Sequence, residues 1–138
     1  ARIIRQKKES LMTTMESVKK YLLSNKWEEV ELEADLARQF FKTTWSFPSG
    51  RAQVVWATVS DTFHQILSPF AREDEISADR ALNMNQTILG VNKALGHYCL
   101  TAVGANSSFS PEAFEMLEQL VAQFADAIEE NSGGGDVL

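Results

Sequence analysis

Two histidines, His64 and His97, and one cysteine, Cys99, are the side chains of this 138-residue chain best suited to metal ligation or nucleophilic attack. The histidines stand in separate segments and form neither an H-x-x-x-H nor an H-x-H pair. A metal would need both of them and a carboxylate brought together in space, whereas a lone histidine in a strand is more often a partly exposed sheet residue. Cys99 follows His97 by two residues. In a strand that spacing puts both side chains on one face about 7 Å apart, too far for a direct hydrogen bond. A Cys–His nucleophile pair also needs a third, orienting group. Cys99 therefore reads as a small core hydrophobe, buried and unreactive. No G-x-S-x-G, P-loop or G-x-G-x-x-G pattern occurs, and Gly90 and Gly96 stand alone as helix-end or strand-kink positions. The acidic run Glu73-Asp74-Glu75 precedes a helical stretch and matches the positive end of a helix dipole, with no calcium-loop spacing after it. The sequence thus assigns no catalytic, cofactor or metal residue, and the chain is expected not to be an enzyme.

What remains is binding. Asn85 lies on an otherwise apolar helical stripe, where a buried amide must find partners in a nearby loop or in a ligand. Trp27, Trp45, Trp56, Phe40, Phe41 and Phe63 load residues 27–68 with aromatics. Most are expected in the core. Trp45 and Trp56, with Phe63, become a protein-binding surface if they point away from the helices, because aromatics anchor interfaces.

Charge is uneven. There are 13 basic and 19 acidic residues, a net −6. The first twenty residues hold Arg2, Arg5, Lys7, Lys8, Lys19 and Lys20 against Glu9 and Glu16. After Lys93 there are seven acidic residues and no basic one. Such a surface repels a nucleic-acid duplex and favours basic partners. No apolar run approaches the roughly 20 residues that a membrane helix needs. The basic start ARIIRQKKES has no apolar stretch behind it and does not read as a secretory signal. A single cysteine excludes an internal disulfide framework.

The elements that position these residues follow from periodicity. Leu11, Met15, Val18 and Leu22 recur at helical spacing, Thr13 and Glu16 fit a capping box, and Ser24-Asn25 marks the stop. From Trp27 the period changes to two. Trp27–Leu32, a run ending in Phe41, Thr43, Trp45 and Phe47, the stretch Val54–Val59, and Thr62–Leu67 read as three or four antiparallel strands. They are separated by turns at Pro48-Ser49-Gly50 and Ser60-Asp61. Residues 75–91 return to helical spacing, with Ser77 or Asp74 as cap. Leu95–Val103 is a single strand. Ser110-Pro111-Glu112 then opens a helix on which Phe114, Leu117, Val121, Phe124 and Ile128 share the face expected to cover the sheet. Glu115, Glu118, Asp126 and Glu129 fall opposite. The fold class is α+β: an antiparallel meander covered by helices, ordered helix, strands, helix, strand, helix. Residues 1–12 are a helical extension or fraying segment, 13–130 one domain, and 131–138 a flexible tail.

This order, with Val18–Trp27, Ile66-Leu-Ser-Pro-Phe-Ala71 as a strand-to-helix passage, Ala81–Leu89, Leu95–Leu100 and Phe109-Ser-Pro-Glu112, resembles the YbjN family of putative bacterial sensory transduction regulators. That family is similar in fold to the class I type III secretion chaperones. The resemblance spans most of residues 15–130. It implies a small cytoplasmic, often dimeric domain that works by protein contact without a cofactor. The family pairs two strands between its last two helices, and here only one is expected. The functional expectation is a chaperone-like or regulatory protein-interaction domain, binding a partner polypeptide through a sheet face or edge. It would form a homodimer of about 1,200–2,000 Å² with Trp45 or Trp56 near its centre. The alternative is a small-ligand or signal-sensing module with a pocket near Asn85, His97 and Tyr98.

Overall fold

The computed structural model describes residues 15–31, 38–82, 89–94 and 96–131. A helix, α1, covers residues 15–24. It stops where Lys26 takes a left-handed backbone (φ 67°). The Trp27 N–H then reaches back to the Leu22 carbonyl at 3.1 Å and satisfies an end carbonyl. Six strands follow: β1 Glu28–Val30, β2 Gln39–Ser46, β3 Ala52–Val59, β4 Phe63–Arg72, β5 Gly90–Ala94 and β6 His97–Ala105. A short helix, α2, covers Ala78–Leu82 between β4 and β5, and a long one, α3, covers Pro111–Asn131. All pairings are antiparallel, in the order β1-β2-β3-β4-β6-β5. The α+β class and the antiparallel sheet are those the sequence predicts. Thr13, Asn85 and the segments 1–14 and 132–138 lie outside the described residues.

Turn chemistry fixes the register. The β2–β3 hairpin closes through Phe47 N–H to the Arg51 carbonyl and Gly50 N–H to the Phe47 carbonyl, both 2.9 Å. Gly50 supplies the positive φ of 89° that the turn needs. Ser110 caps α3, its Oγ accepting from Ala113 N–H at 3.3 Å. Ser77 does the same for α2 through Arg80 N–H.

Four expectations are corrected. First, the passage Ile66–Ala71 does not turn into a helix: β4 runs on to Arg72. Pro69 has no N–H to give a ladder, and it sits at the register shift between Pro69 and Ala71 where none is required. Second, residues 90–91 are not helical; they begin β5. Third, the single strand expected at Leu95–Val103 is β6, and a second strand, β5, stands before it. β5 is a partly exposed edge with the sequence Gly-Val-Asn-Lys-Ala, so it carries no alternating apolar signal. Gly96, at φ 74°, turns it back into β6. The two strands pair as an antiparallel hairpin.

The fourth correction concerns α3. Phe114, Val121, Ala122 and Ala125 are buried against the sheet, and so are Glu118, Asp126 and Glu129, which were expected to face outward. Leu117 and Ile128 are only half-buried, and Phe124 is 42% exposed. The helix is turned about its axis by roughly 80° from its apolar stripe, at 100° per residue. The sheet below offers donors from Trp45, Arg51 and Gln53, and Ala122 and Ala125 leave room for close approach.

One cluster of buried side chains lies between sheet and helices: Val18, Leu22, Trp27, Phe41, Val55, Ile66, Leu100, Phe114 and Val121 among others. Tyr21, Trp27 and Phe109 pack their rings against Phe114 at 5.5–6.0 Å, edge-on or tilted, and join α1 to α3. Phe114→Ala should therefore cost about 3–5 kcal/mol in urea melts, whereas Phe124→Ala should cost below about 1 kcal/mol. Equal losses would contradict this rotation of the helix.

Candidate docking face of the sheet

The register divides the strand side chains between two faces. Facing the helices are Phe41, Ala57, Ile66 and Ala102, which pair in sequence across β2, β3, β4 and β6. On the reverse, one row runs Val30–Phe40–Thr58–Gln65–Val103, and the next Glu28–Lys42–Trp56–Leu67–Thr101. Trp56, Leu67 and Cys99 form a second buried cluster there with Val30, Val54 and Ala94, and every one of these lies on a strand. At the start of β4 this face opens to solvent: Phe63 is 41% exposed and Val103, on the adjacent strand, 61%.

The polar groups of this reverse face are unevenly served. Gln65 donates to Thr101 Oγ1 at 2.8 Å. The Trp56 indole N–H and the Thr58 hydroxyl are buried with no hydrogen-bond partner. An unserved buried donor costs about 1–3 kcal/mol. The Lys42 ammonium stands 5.4 Å above the Trp56 ring, and the Arg38 guanidinium 5.4 Å from the Phe40 ring.

The three residues singled out by sequence do not form one patch. Trp56 and Phe63 share the reverse face. Trp45 is on the other side, packed on the core, where its Nε1 donates to Glu118 at 2.5 Å. Val103 and Thr58 belong to the face and were not singled out; the only sequence signal was their place in apolar strand runs.

The helix side holds a polar clamp. Arg51 Nε donates to Asp126 at 2.9 Å, and its Nη2 lies 3.6 Å from Glu129. Gln53 donates to Ser68 Oγ and to the Pro69 carbonyl at 2.9 and 2.7 Å. Burial raises the pKa of Glu118, and the Trp45 N–H opposes that rise.

The histidines lie on opposite faces and cannot share a ligand. His64 Nδ1 is 3.0 Å from Asn106 Oδ1, and Asn106 donates its amide N–H to the Ser60 carbonyl at 2.7 Å. Asn106 Oδ1 thus accepts, and Nδ1 carries the proton. Gly104 lies directly across: a Cβ there would meet His64 Nε2 at 2.6 Å. Among the described residues no group of three or more His, Cys, Asp or Glu side chains is gathered as a metal would need. Cys99 is buried, and burial pushes its thiol up to about 12. The groove of about 280 Å³ near Tyr98 is lined by Ala78, Val91, Asn92 and Lys93, is open to solvent, and does not include His97. No described helix is long and apolar enough to cross a membrane.

No protein-family model matches the chain. No curated protein matches it either. Among solved structures, a chain of the HopA1–SchA chaperone–effector complex superposes with a TM-score of 0.49 at 10% identity, covering 86% of this chain and 97% of that one.

Burial lowers the pKa of His64. The native state therefore favours the neutral ring. Its contribution is complete above the unfolded value of about 6.5 and is lost as pH falls through the lowered native value, by at most about 1.4 kcal/mol per pH unit. Urea melts between pH 7.5 and 5 should show this fall. In His64→Gln the neutral-pH stability should be lower and the slope flatter. An unchanged slope would exclude His64 as its source.

Proposed function

We propose that this chain is a non-enzymatic partner-binding domain, chaperone-like or regulatory, that holds an extended polypeptide segment against the sheet face opposite α3. The observation that carries this proposal is the exposed pair Phe63 and Val103, where the face opens to solvent at one end of the buried Trp56, Leu67 and Cys99 cluster. An extended segment alternates its side chains and would lay its apolar ones on that pair. Lys42 and Arg38 favour an acceptor-rich or acidic segment. The sequence resemblance to the YbjN family and the secretion chaperones supports the same role, in a bacterial cytoplasm. Phe63 and Trp56 stay in the proposed surface; Trp45 is engaged by Glu118 and acts from beneath.

A homodimer is part of the proposal. β5 is an edge of the sheet, and its outward N–H and C=O groups would pair with the same edge of a second copy around a two-fold axis. Neither Trp45 nor Trp56 stands at that edge. Light scattering at micromolar concentration should give twice the monomer mass of 15.4 kDa. A monomer mass would remove the dimer and leave the docking face untouched.

The docking face is tested with a reduced, carboxymethylated model polypeptide in fluorescence anisotropy. The combined Phe63→Ser and Val103→Ser variant should bind it about tenfold or more weakly, with an unchanged urea midpoint. Equal binding by the variant would reject this face.

A further inference from the structure

The outward flank of α3 has an apolar demand that the fold does not meet. Met116 is 57% exposed and Phe124 42%, with half-buried Leu120 between them. The three recur at i, i+4 and i+8, a single ridge about 12 Å long on the helix surface. They are uncovered because Glu118, Asp126 and Glu129 occupy the sheet-facing side, held there by Trp45 and Arg51. The helix cannot roll to bury the ridge without pulling those carboxylates off their donors.

The border of the ridge decides what can cover it. Glu112, Gln119, Gln123 and Glu130 are exposed along one side. Of the six acidic residues of α3, Glu118, Asp126 and Glu129 are turned to the sheet, which leaves Glu112, Glu115 and Glu130 exposed with no Lys or Arg on the helix to balance them. A second copy would set one acidic helix against another, in either direction, and like charges disfavour that pairing. A ridge at helical spacing with an acidic border instead fits a partner of opposite charge with matching periodicity. We infer that the Met116–Leu120–Phe124 ridge docks a basic amphipathic helix, apolar on one side and flanked by Lys or Arg. This surface is separate from the sheet face and goes beyond the role proposed there.

The test uses the full chain and a synthetic peptide with leucine and lysine at helical spacing. Controls are a scrambled peptide of the same composition and a version with glutamate in place of lysine. Binding is followed by anisotropy and by backbone amide shifts. The helical leucine–lysine peptide should bind, shift the amides around Met116, Leu120 and Phe124, and weaken with salt. The combined Met116→Ser and Phe124→Ser variant should bind about tenfold or more weakly, whereas Phe63→Ser with Val103→Ser should bind as the parent does. Because both α3 positions are exposed, an unchanged urea midpoint shows that the fold survives. Equal binding of the scrambled or glutamate peptide, shifts confined to another surface, or indifference to the α3 variant would each overturn the inference. So would a dimer that dissociates in the Met116→Ser and Phe124→Ser variant, since it would make a second copy the occupant.

Discussion

The rotation of α3 about its own axis is set by carboxylates, and much of the molecule follows from it. Glu118, Asp126 and Glu129 point at the sheet because Trp45, Arg51 and Gln53 wait there as donors. Pairing with the sheet offsets the desolvation of these groups, and breaking one partner would leave a buried charge uncompensated. The clamp ties the β2–β3 hairpin to the second half of α3, while the ring cluster of Tyr21, Trp27, Phe109 and Phe114 ties α1 to its first half. Between these two anchorages Ala122 and Ala125 let helix and sheet approach closely.

The two sides of the sheet are then filled differently. Its helix-facing side is filled with Phe41, Val55, Ala57, Ile66, Leu100 and Ala102. The reverse side carries its own apolar cluster, but with exposed Phe63 and Val103 at one end and two unserved buried polar atoms beside them. Phe63 and Val103 are diagonal neighbours across β4 and β6, which makes them a patch, where isolated exposed apolar residues would mean little.

Local signals made much of the fold legible. Period two from Phe41 to Phe47, the β-branched and aromatic run Val54–Val59, the Pro48-Ser49-Gly50 turn, and the Ser110-Pro111 helix start are properties of neighbouring residues, and they appear where the sequence places them. What failed was non-local. β5 has only Val91 and Ala94 as apolar residues, three positions apart, and is a strand because β6 lies beside it. Ile66–Ala71 read as a passage from strand to helix and instead continues β4, with Pro69 tolerated because the register shifts there. The apolar stripe of α3 is real, but the sheet's donors outweighed it, and they come from residues some 75 positions away. The candidate site was legible to the same degree: Phe63 and Trp56 share a face, while the side of the sheet on which Trp45 falls depends on pairing that no window of sequence contains. Val103 and Thr58 became visible only through the strands they pair with.

The three tryptophans occupy two electrostatic settings. Trp27, edge-on to Phe114, and Trp45 both hydrogen-bond the Glu118 carboxylate on the helix side, and Trp56 lies beneath an ammonium group on the other side of the sheet. Indole emission responds to nearby charge, so the chain carries built-in optical probes. Variants retaining a single tryptophan would report separately on the helix side and the reverse side, with no label attached.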